Sequence, residues 1–373
     1  MPAETTAQSV DDVMALIRPA VRNEHEYVVG APPDAPVKLN QNESPFDLPA
    51  SIKDELLHAC SQIEMNRYPA EQPERLRRAL AAHDGVAPEM IIVGNGSNEL
   101  TYTLGLAFVE PDAPVVLPRP MFSLYEKVAH LSGAELTSVP PNEDLSFDVD
   151  GLVDAVQQTG AVLTVLTTPN NPTGLALSMD EVERIVDASP GMVVVDEAYV
   201  EFNPEGTALR LLDRHPNVLV MRTLSKAFGL AGVRLGYLLG HADVVRELMK
   251  SRLPFMVDRF SEQVGLALLD RPELLRERVR KMQASVQEIT SALQSMDAVT
   301  VVPSAANFVI FTTPLPADRL QDRLKDDGVL LRNMGGYPSL QGYLRVSAGT
   351  PDENKAFLAA LERALSEVEV GRD

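Results

Sequence analysis

The stretch that decides the fold is VLVMRTLSKAFGLAGVRLGYLL, residues 218–239. Two nearly continuous apolar runs, 218–221 and 236–239, enclose a loop that holds hydroxyl groups, a lysine and two arginines. Strands that are buried on both faces of a sheet have such uninterrupted apolar runs, whereas half-exposed strands alternate between apolar and polar residues. The stretch therefore predicts two buried strands with a polar loop between them.

The same pattern recurs upstream. Four further apolar runs lie at residues 90–93, 114–117, 161–166 and 192–195. Helix-like segments, such as residues 179–185 and 242–250, alternate with the runs. This alternation is typical of an α/β fold with a mostly parallel sheet flanked by helices.

The change in pattern along the 373 residues predicts three parts. Residues 1–45 form an N-terminal arm with a short amphipathic helix at 10–17, and residues 46–255 form the large α/β domain. Residues 256–373 form a smaller α+β domain. Its predicted elements are a long helix at 271–296, apolar runs at 307–311, 329–331 and 343–346, and helices at 316–325 and 352–367.

The composition excludes several classes of function. The formal net charge of −20 repels nucleic acid and anionic membranes, so neither is an expected partner. The single cysteine, Cys60, precludes a disulfide within the chain, and no Cys/His cluster has metal-ligand spacing. The first residues lack the basic and apolar regions of a signal peptide, and no apolar stretch reaches 18 residues. We expect a cytoplasmic protein without a bound metal.

Polar residues follow the predicted strands at the edge where parallel sheets bind ligands. Gly94–Glu99 (GNGSNE) resembles a phosphate-binding turn, although a plain strand-to-helix turn explains it equally well. Asp196 ends a buried strand and is either a partner for a cation or a helix cap. Lys226 has apolar neighbours within its loop, and desolvation there makes an amine nucleophilic, although most lysines are solvated. Arg332 and Arg345 follow apolar runs and predict either anion binding or structural ion pairs.

Taken in this order, the motifs resemble those of the class I and II aminotransferases of fold type I, with the greatest likeness to the histidinol-phosphate aminotransferases. The motifs are LNQNESPF (39–46), NRYP (66–69), GNGSNE (94–99), PNNPTG (169–174), DEAY (196–199), TLSKAFGLAGVRLG (223–236) and LRVSAGT (344–350). The resemblance implies pyridoxal 5′-phosphate as cofactor and extends from about residue 37 to residue 367.

The resemblance also implies roles around the cofactor. Lys226 would form the Schiff base and move the substrate proton. Asp196 would pair with the ring nitrogen, Tyr199 and Asn171 would bond the phenolic oxygen, and Phe122 would stack on the ring, where many relatives have tyrosine. The residues implied for the cofactor phosphate are Ser97, Asn98, Thr223, Ser225 and Arg234, with Tyr68 reaching over from the neighbouring subunit of a homodimer.

For the substrate, the resemblance implies that Arg345 binds the carboxylate, Arg332 the substrate phosphate, and Tyr27 the imidazole. The implied reaction transfers an amino group from glutamate to imidazole-acetol phosphate, giving 2-oxoglutarate and L-histidinol phosphate, in histidine biosynthesis.

Three alternatives fit the same residues. An aromatic amino acid aminotransferase would use identical cofactor residues, and hydrophobic pockets discriminate weakly. A phosphothreonine-type decarboxylase would break a different bond on the same scaffold. A non-catalytic regulatory protein that binds pyridoxal phosphate is disfavoured by the complete set Lys226, Asp196, Asn171 and Tyr199.

Overall fold

The computed structural model describes residues 9–26, 35–203, 205–297 and 299–370, with side chains up to residue 366. The strands are β1 Val37–Lys38, β2 Ile91–Asn95, β3 Pro114–Pro118, β4 Glu135–Val139, β5 Leu163–Thr167, β6 Met192–Asp196, β7 Val218–Thr223, β8 Leu235–Gly240, β9 Thr300–Val302, β10 Phe308–Thr312, β11 Val329–Leu330, β12 Arg332–Asn333 and β13 Leu344–Ser347. The α-helices are α1 Val10–Met14, α2 Pro19–Arg22, α3 Ala50–Ser61, α4 Glu74–Asp84, α5 Gly96–Phe108, α6 Leu124–Ser132, α7 Val149–Thr159, α8 Met179–Ala188, α9 Ala242–Leu248, α10 Arg259–Leu269, α11 Pro272–Gln294, α12 Ala317–Asp326 and α13 Pro351–Val370.

Seven strands form the large sheet in the order β2-β8-β7-β6-β5-β3-β4. The pairs β4–β3, β3–β5, β5–β6 and β6–β7 are parallel, whereas β8 is antiparallel to both β7 and β2. The prediction of a mostly parallel sheet is confirmed. Because β8 runs in the opposite direction, the residue that precedes it, Arg234, lies at the edge where the parallel strands end.

Each central strand of this sheet is buried on both faces. In β6, Val193 and Val195 pack into one hydrophobic cluster with residues of α7 and α8, and Val194 packs into another with residues of α5 and α6. The continuous apolar runs result from this double burial. Helix α8 begins with a capping box in which Ser178 and Glu181 each accept from the other's backbone N–H, so its start is fixed locally.

The C-terminal part contains an antiparallel sheet in the order β12-β13-β10-β9, covered by α11, α12 and α13. Strand β1 of the N-terminal part pairs in parallel with β11 of this unit, with Val37 opposite Val329. Helix α10 instead packs with the large sheet, where its Leu268 joins the core. The predicted domain boundaries at residues 45 and 255 stay a prediction.

Candidate functional site

A cavity of about 1300 Å³ opens at the carboxyl ends of the parallel strands and extends to the C-terminal sheet. The predicted site residues that line it are Ser97, Asn98, Phe122, Asn171, Asp196, Tyr199, Thr223, Ser225, Lys226, Arg234, Arg332 and Arg345. Tyr68 is 80% exposed and stacks on Phe255 outside this wall, with ring centroids 5.0 Å apart. Tyr27 lies outside the described residues.

Lys226 extends from the loop after β7 into the cavity. Its Nζ donates to the carbonyl oxygen of Gln41 at 3.1 Å and lies 5.9 Å from the centroid of the Tyr199 ring. Burial and, to a smaller extent, the positive charge of Arg345 lower the pKa of Lys226 to about 8. About a tenth of an amine with such a pKa is neutral at pH 7, far more than of an ordinary lysine, so it can attack a carbonyl group.

Asp196 is the last residue of β6, and both of its carboxylate oxygens accept hydrogen bonds. Oδ1 accepts from the Ala198 N–H at 3.0 Å, and Oδ2 accepts from the Tyr125 hydroxyl at 2.7 Å. Burial raises the pKa of Asp196 to about 6, although the two donors act in the opposite direction. A buried carboxylate that also lines the cavity is suited to pair with a cationic or N–H group of a ligand.

A phenol and an amide line the cavity together with Lys226. The Tyr199 hydroxyl accepts from Asn42 Nδ2 at 2.9 Å, and its ring packs edge-on against Phe308 at 5.3 Å between centroids. Asn171 Oδ1 accepts from the Arg345 guanidinium. Both side chains are therefore held in place by neighbours while they line the cavity.

The start of helix α5 provides backbone donors next to a guanidinium. Gly96, its first residue, has φ +74°, and a Cβ at this position would lie 2.4 Å from Nη2 of Arg234. A Cβ on Gly236, in the adjacent strand, would lie 2.3 Å from the backbone nitrogen of Ser97. The positive φ of Gly96 and the backbone approach at Gly236 require glycine, and the two positions bring the helix N-terminus close to Arg234.

Hydroxyl groups complete this cradle. The Thr223 hydroxyl donates to Ser225 Oγ at 3.0 Å and accepts from the Ser225 N–H at 3.1 Å. Both side chains are buried and line the cavity. A helix N-terminus, neutral hydroxyls and an arginine are the donor set that proteins offer to a phosphate group.

Two arginines of the C-terminal sheet line the cavity. Arg332 of β12 is directly opposite Arg345 of β13 in the antiparallel register. Arg345 donates through Nη2 to the carbonyl oxygen of Asn40 at 2.9 Å and lies over the Phe308 ring, 5.2 Å from its centroid. Within the described residues, Arg332 lines the cavity without an ion-pair partner. The pair presents concentrated positive charge to an anionic ligand.

A cluster of charged residues lies behind the cavity. Arg222 donates to Glu197 through Nε at 3.0 Å and Nη2 at 2.8 Å, and to Asp84 through Nη1 at 2.6 Å. Burial raises the pKa of the neighbouring Glu201 to about 7. Both contacts with Glu197 are made to Oε2, and the ion pair joins β7 to the end of β6, next to Asp196.

No metal-ligand cluster of three or more His, Cys, Asp or Glu residues is present in the described part of the chain. No helix within the described ranges combines the length and apolarity needed to cross a bilayer.

The sequence model of the family Aminotransferase class I and II matches residues 34–361. The chain belongs to this family. A histidinol-phosphate aminotransferase of Chlorobaculum tepidum is 41% identical over 348 residues, which cover 93% of this chain and 100% of the relative. Another, of Prosthecochloris aestuarii, is 40% identical and covers 94% of this chain and 98% of the relative.

A solved structure agrees with this class I and II aminotransferase fold. The histidinol-phosphate aminotransferase of Sinorhizobium meliloti, in complex with pyridoxal-5′-phosphate, superposes with a TM-score of 0.86 at 28% identity. The match covers 95% of this chain and 98% of that chain. The recognition of the family from sequence motifs is confirmed.

Two residues that contact the aminotransferase site have no role predicted from the sequence. Asn42 bonds Tyr199 and also donates its backbone N–H to Ser347 Oγ at 2.9 Å. Its signal is the LNQNESPF motif, which marks the family without indicating this contact. Tyr125 bonds Asp196 from helix α6. It lies within an ordinary amphipathic pattern, so the sequence carries no signal for this contact.

Proposed function

We propose that this aminotransferase uses pyridoxal 5′-phosphate to exchange an amino group between L-histidinol phosphate and 2-oxoglutarate. The observation that carries the proposal is the Arg332–Arg345 pair in the same cavity as Lys226 and Asp196. The names of relatives at 40–41% identity over most of the chain support the same substrate. The role fits histidine biosynthesis.

The residues present fit the cofactor at each of its ends. The cradle of Gly96, Ser97 and Arg234 matches a phosphate ester, and the positive φ of Gly96 favours glycine at the start of the helix. Lys226 offers an amine with a lowered pKa to an aldehyde. Asp196 offers a buried carboxylate to a ring nitrogen. These complementary groups line one continuous cavity, as a single ligand with three different functional groups requires.

When bound, pyridoxal phosphate supplies an aldehyde that captures amino groups and a protonated ring that accepts the electron pair of a broken Cα–H bond. Lys226 Nζ would be the amine that binds this aldehyde. When free, the same amine would take the proton from the substrate Cα and hold it for transfer within the site. Its pKa of about 8 suits an amine that must both accept and release this proton near neutrality.

The surrounding side chains orient the reacting groups. Asp196 would keep the ring nitrogen protonated by pairing with its N–H. Tyr199 and Asn171 would hydrogen-bond the phenolic oxygen of the ring, and Phe122 would pack on the ring. The phosphate would be held by groups at the start of α5 and around the loop after β7 that line the cavity, which are Ser97, Asn98, Thr223, Ser225 and Arg234.

Substrate anions bind at the arginine pair. Arg345 accommodates the α-carboxylate of glutamate through a planar, bidentate contact. Histidinol phosphate has no carboxylate, so its phosphate takes the place next to both guanidinium groups, with Arg332 providing the additional charge.

We also propose a homodimer in which Tyr68 contacts the cofactor phosphate of the neighbouring subunit. Tyr68 is highly exposed and forms a stack with Phe255 away from the cavity of its own chain. Other exposed apolar side chains that support an interface are Leu57, Met65, Leu106, Leu253 and Phe260.

The experiment that tests the substrate is a half-reaction followed by the absorbance of the bound cofactor. L-Histidinol phosphate and L-phenylalanine are added to separate samples of the loaded protein. We expect rapid conversion by histidinol phosphate at low concentration and slow conversion by phenylalanine. The reverse order would identify an aromatic aminotransferase and remove the substrate proposal, whereas carbon dioxide release from a third sample with phosphothreonine would indicate decarboxylation.

A further inference from the structure

Tyr125 stands behind Asp196 in a position that the proposed chemistry does not yet use. Its hydroxyl donates to Asp196 Oδ2 at 2.7 Å, a short distance typical of a charge-assisted O–H···O⁻ bond. Tyr125 is 5% exposed and Asp196 8% exposed, so water does not compete effectively for this contact. The phenol reaches Asp196 from the first turn of α6, while the second oxygen is held by the Ala198 N–H.

The two donors together fix the orientation of the carboxylate. With Oδ1 on a backbone N–H and Oδ2 on a phenol, rotation of the carboxylate about its χ2 angle would break both bonds. Each oxygen keeps a further lone pair for a ligand, because a carboxylate has about four acceptor positions. The geometry therefore leaves room for one more donor from the cavity without displacing Tyr125.

The bond from Tyr125 also opposes the effect of burial. Burial alone favours the protonated form of Asp196 by raising its pKa, and hydrogen bonds to the anion lower the pKa again. Tyr125 itself stays a neutral donor, because burial and the Asp196 charge raise the pKa of its phenol well above the usual value. The neutral phenol is thus able to remain a donor to the Asp196 carboxylate.

We propose that Tyr125 is a positioning residue whose hydroxyl holds the Asp196 carboxylate ready for the ring nitrogen of the cofactor. The inference rests on the proposed function, since it concerns the same cofactor. Thr101 lies beside the Tyr125 phenol, and its hydroxyl donates to the carbonyl oxygen of Ser97 at 3.1 Å.

The test compares two cofactors that differ in a single ring atom. The affinities of the apo protein for pyridoxal phosphate and for its 1-deaza analogue, in which C–H replaces the ring nitrogen, are measured by calorimetry for the unmodified protein and for Tyr125→Phe. We expect the substitution to weaken the binding of pyridoxal phosphate about 10-fold, which is the effect of one hydrogen bond to a charged group. Binding of the deaza analogue should change less than about 2-fold. Equal losses for both cofactors, or no loss for either, would overturn the proposal.

Tyr237→Phe is the matched control. Tyr237 is a fully buried tyrosine whose hydroxyl interacts with a buried carboxylate, that of Asp84, away from the cavity. The same substitution there must leave the ratio of the two affinities unchanged, and a changed ratio would mean that any buried tyrosine affects it. Failure of the unmodified protein to bind pyridoxal phosphate at all would instead refute the proposed function.

A second measurement keeps the hydroxyl in place, so it does not depend on the folding of Tyr125→Phe. Tyr125 is replaced site-specifically by 3-fluorotyrosine, and its fluorine resonance is recorded on addition of each cofactor. We expect a larger shift with pyridoxal phosphate than with the deaza analogue, because only the former places a charged N–H on the shared carboxylate. Identical shifts would contradict the inference.

Discussion

Arg332 and Arg345 lie directly opposite each other on adjacent strands, and both line the cavity that contains Lys226. Like charges at opposed positions of an antiparallel pair repel, so the arrangement costs free energy unless an anion lies between them. Arg345 is anchored by Asn40 and Asn171, which leaves Arg332 as the guanidinium that can follow the ligand.

Arg332→Ala should therefore affect a phosphorylated substrate selectively. Losing a charge-assisted contact of about 1.5–3 kcal/mol lowers kcat/KM for histidinol phosphate about 10- to 100-fold. The value for phenylalanine, which has no phosphate, should change only a few-fold. Arg319→Ala, an exposed arginine on α12, serves as the control. Equal losses with both substrates would show that Arg332 does not recognise the phosphate.

Lys226→Ala should abolish covalent attachment of the cofactor, because no other amine is expected to reach the aldehyde. The measurement is borohydride reduction followed by intact-mass analysis, which adds the cofactor mass only where a reducible bond exists. Lys250→Ala removes an exposed lysine that pairs with Glu247, and this variant should be labelled like the unmodified protein. Labelling of the Lys226→Ala protein would refute the assignment.

Asp196→Ala should still bind the cofactor weakly but lose transamination. The phosphate cradle stays intact, whereas the ring nitrogen loses its buried anionic partner. We expect turnover to fall about 100-fold or more, the range seen when one preorganised electrostatic contact is removed. Single-turnover absorbance measurements check this, with the exposed Asp213→Ala variant as control. Turnover near that of the control would refute the role.

Glu201→Gln should stabilise the protein in a pH-dependent way. Burial raises the pKa of Glu201 from 4.5 to about 7 in the folded state, so the folded protein binds more protons than the unfolded chain between these values. Stability is therefore lost as the pH rises through this window, by at most about 3 kcal/mol. Urea denaturation should find the variant more stable than the parent at about pH 8 and similar to it below about pH 4.5, where the folded and unfolded carboxyl groups are both largely protonated.

Glu205→Gln, at an exposed position in the same loop region, is the control for this experiment. If Glu201→Gln stabilised the protein as much below about pH 4.5 as at about pH 8, the ionisation of Glu201 would not be the cause.

Tyr68→Ala and Lys226→Ala should complement each other if sites are shared between subunits. In a mixed dimer, one site then carries both substitutions and the other carries neither. Co-expression should restore about a quarter of the unmodified activity per chain, because random pairing makes half of the dimers mixed. Each variant expressed alone provides the baseline. Activity no higher than this baseline would contradict the proposed contribution of Tyr68 to the neighbouring site.

The sequence predicted the central strands well because their burial on both faces produces an uninterrupted apolar run, as in β6 and β7. It missed β4, which has the sequence ELTSV and lies at the sheet edge, where partial exposure removes that pattern. The run that became β8 was recognised as a strand, but its antiparallel direction was not, since direction depends on the chain path and not on local residue type.

In the candidate site, too, the residues predicted from the sequence are those next to buried strands. Lys226 and Asp196 were predicted because polar residues at the ends of buried strands are conspicuous. Tyr125 was not, because a tyrosine on the buried face of a helix has the same sequence pattern whether its hydroxyl bonds a carboxylate or not. Contacts between residues distant in sequence, such as Asn42 with Tyr199, depend on tertiary packing.

The path of the N-terminal strand has a consequence for biosynthesis of the protein. Strand β1 pairs with β11, and the Asn42 N–H donates to Ser347 from 305 residues away. A nascent chain whose large sheet has already left the ribosome still lacks the partner of β1, until the roughly 100 residues after β8 have been translated. During this interval residues 37–43 have no docking strand, so we expect the contacts of Gln41 with Lys226 and of Asn42 with Tyr199 to form late in synthesis.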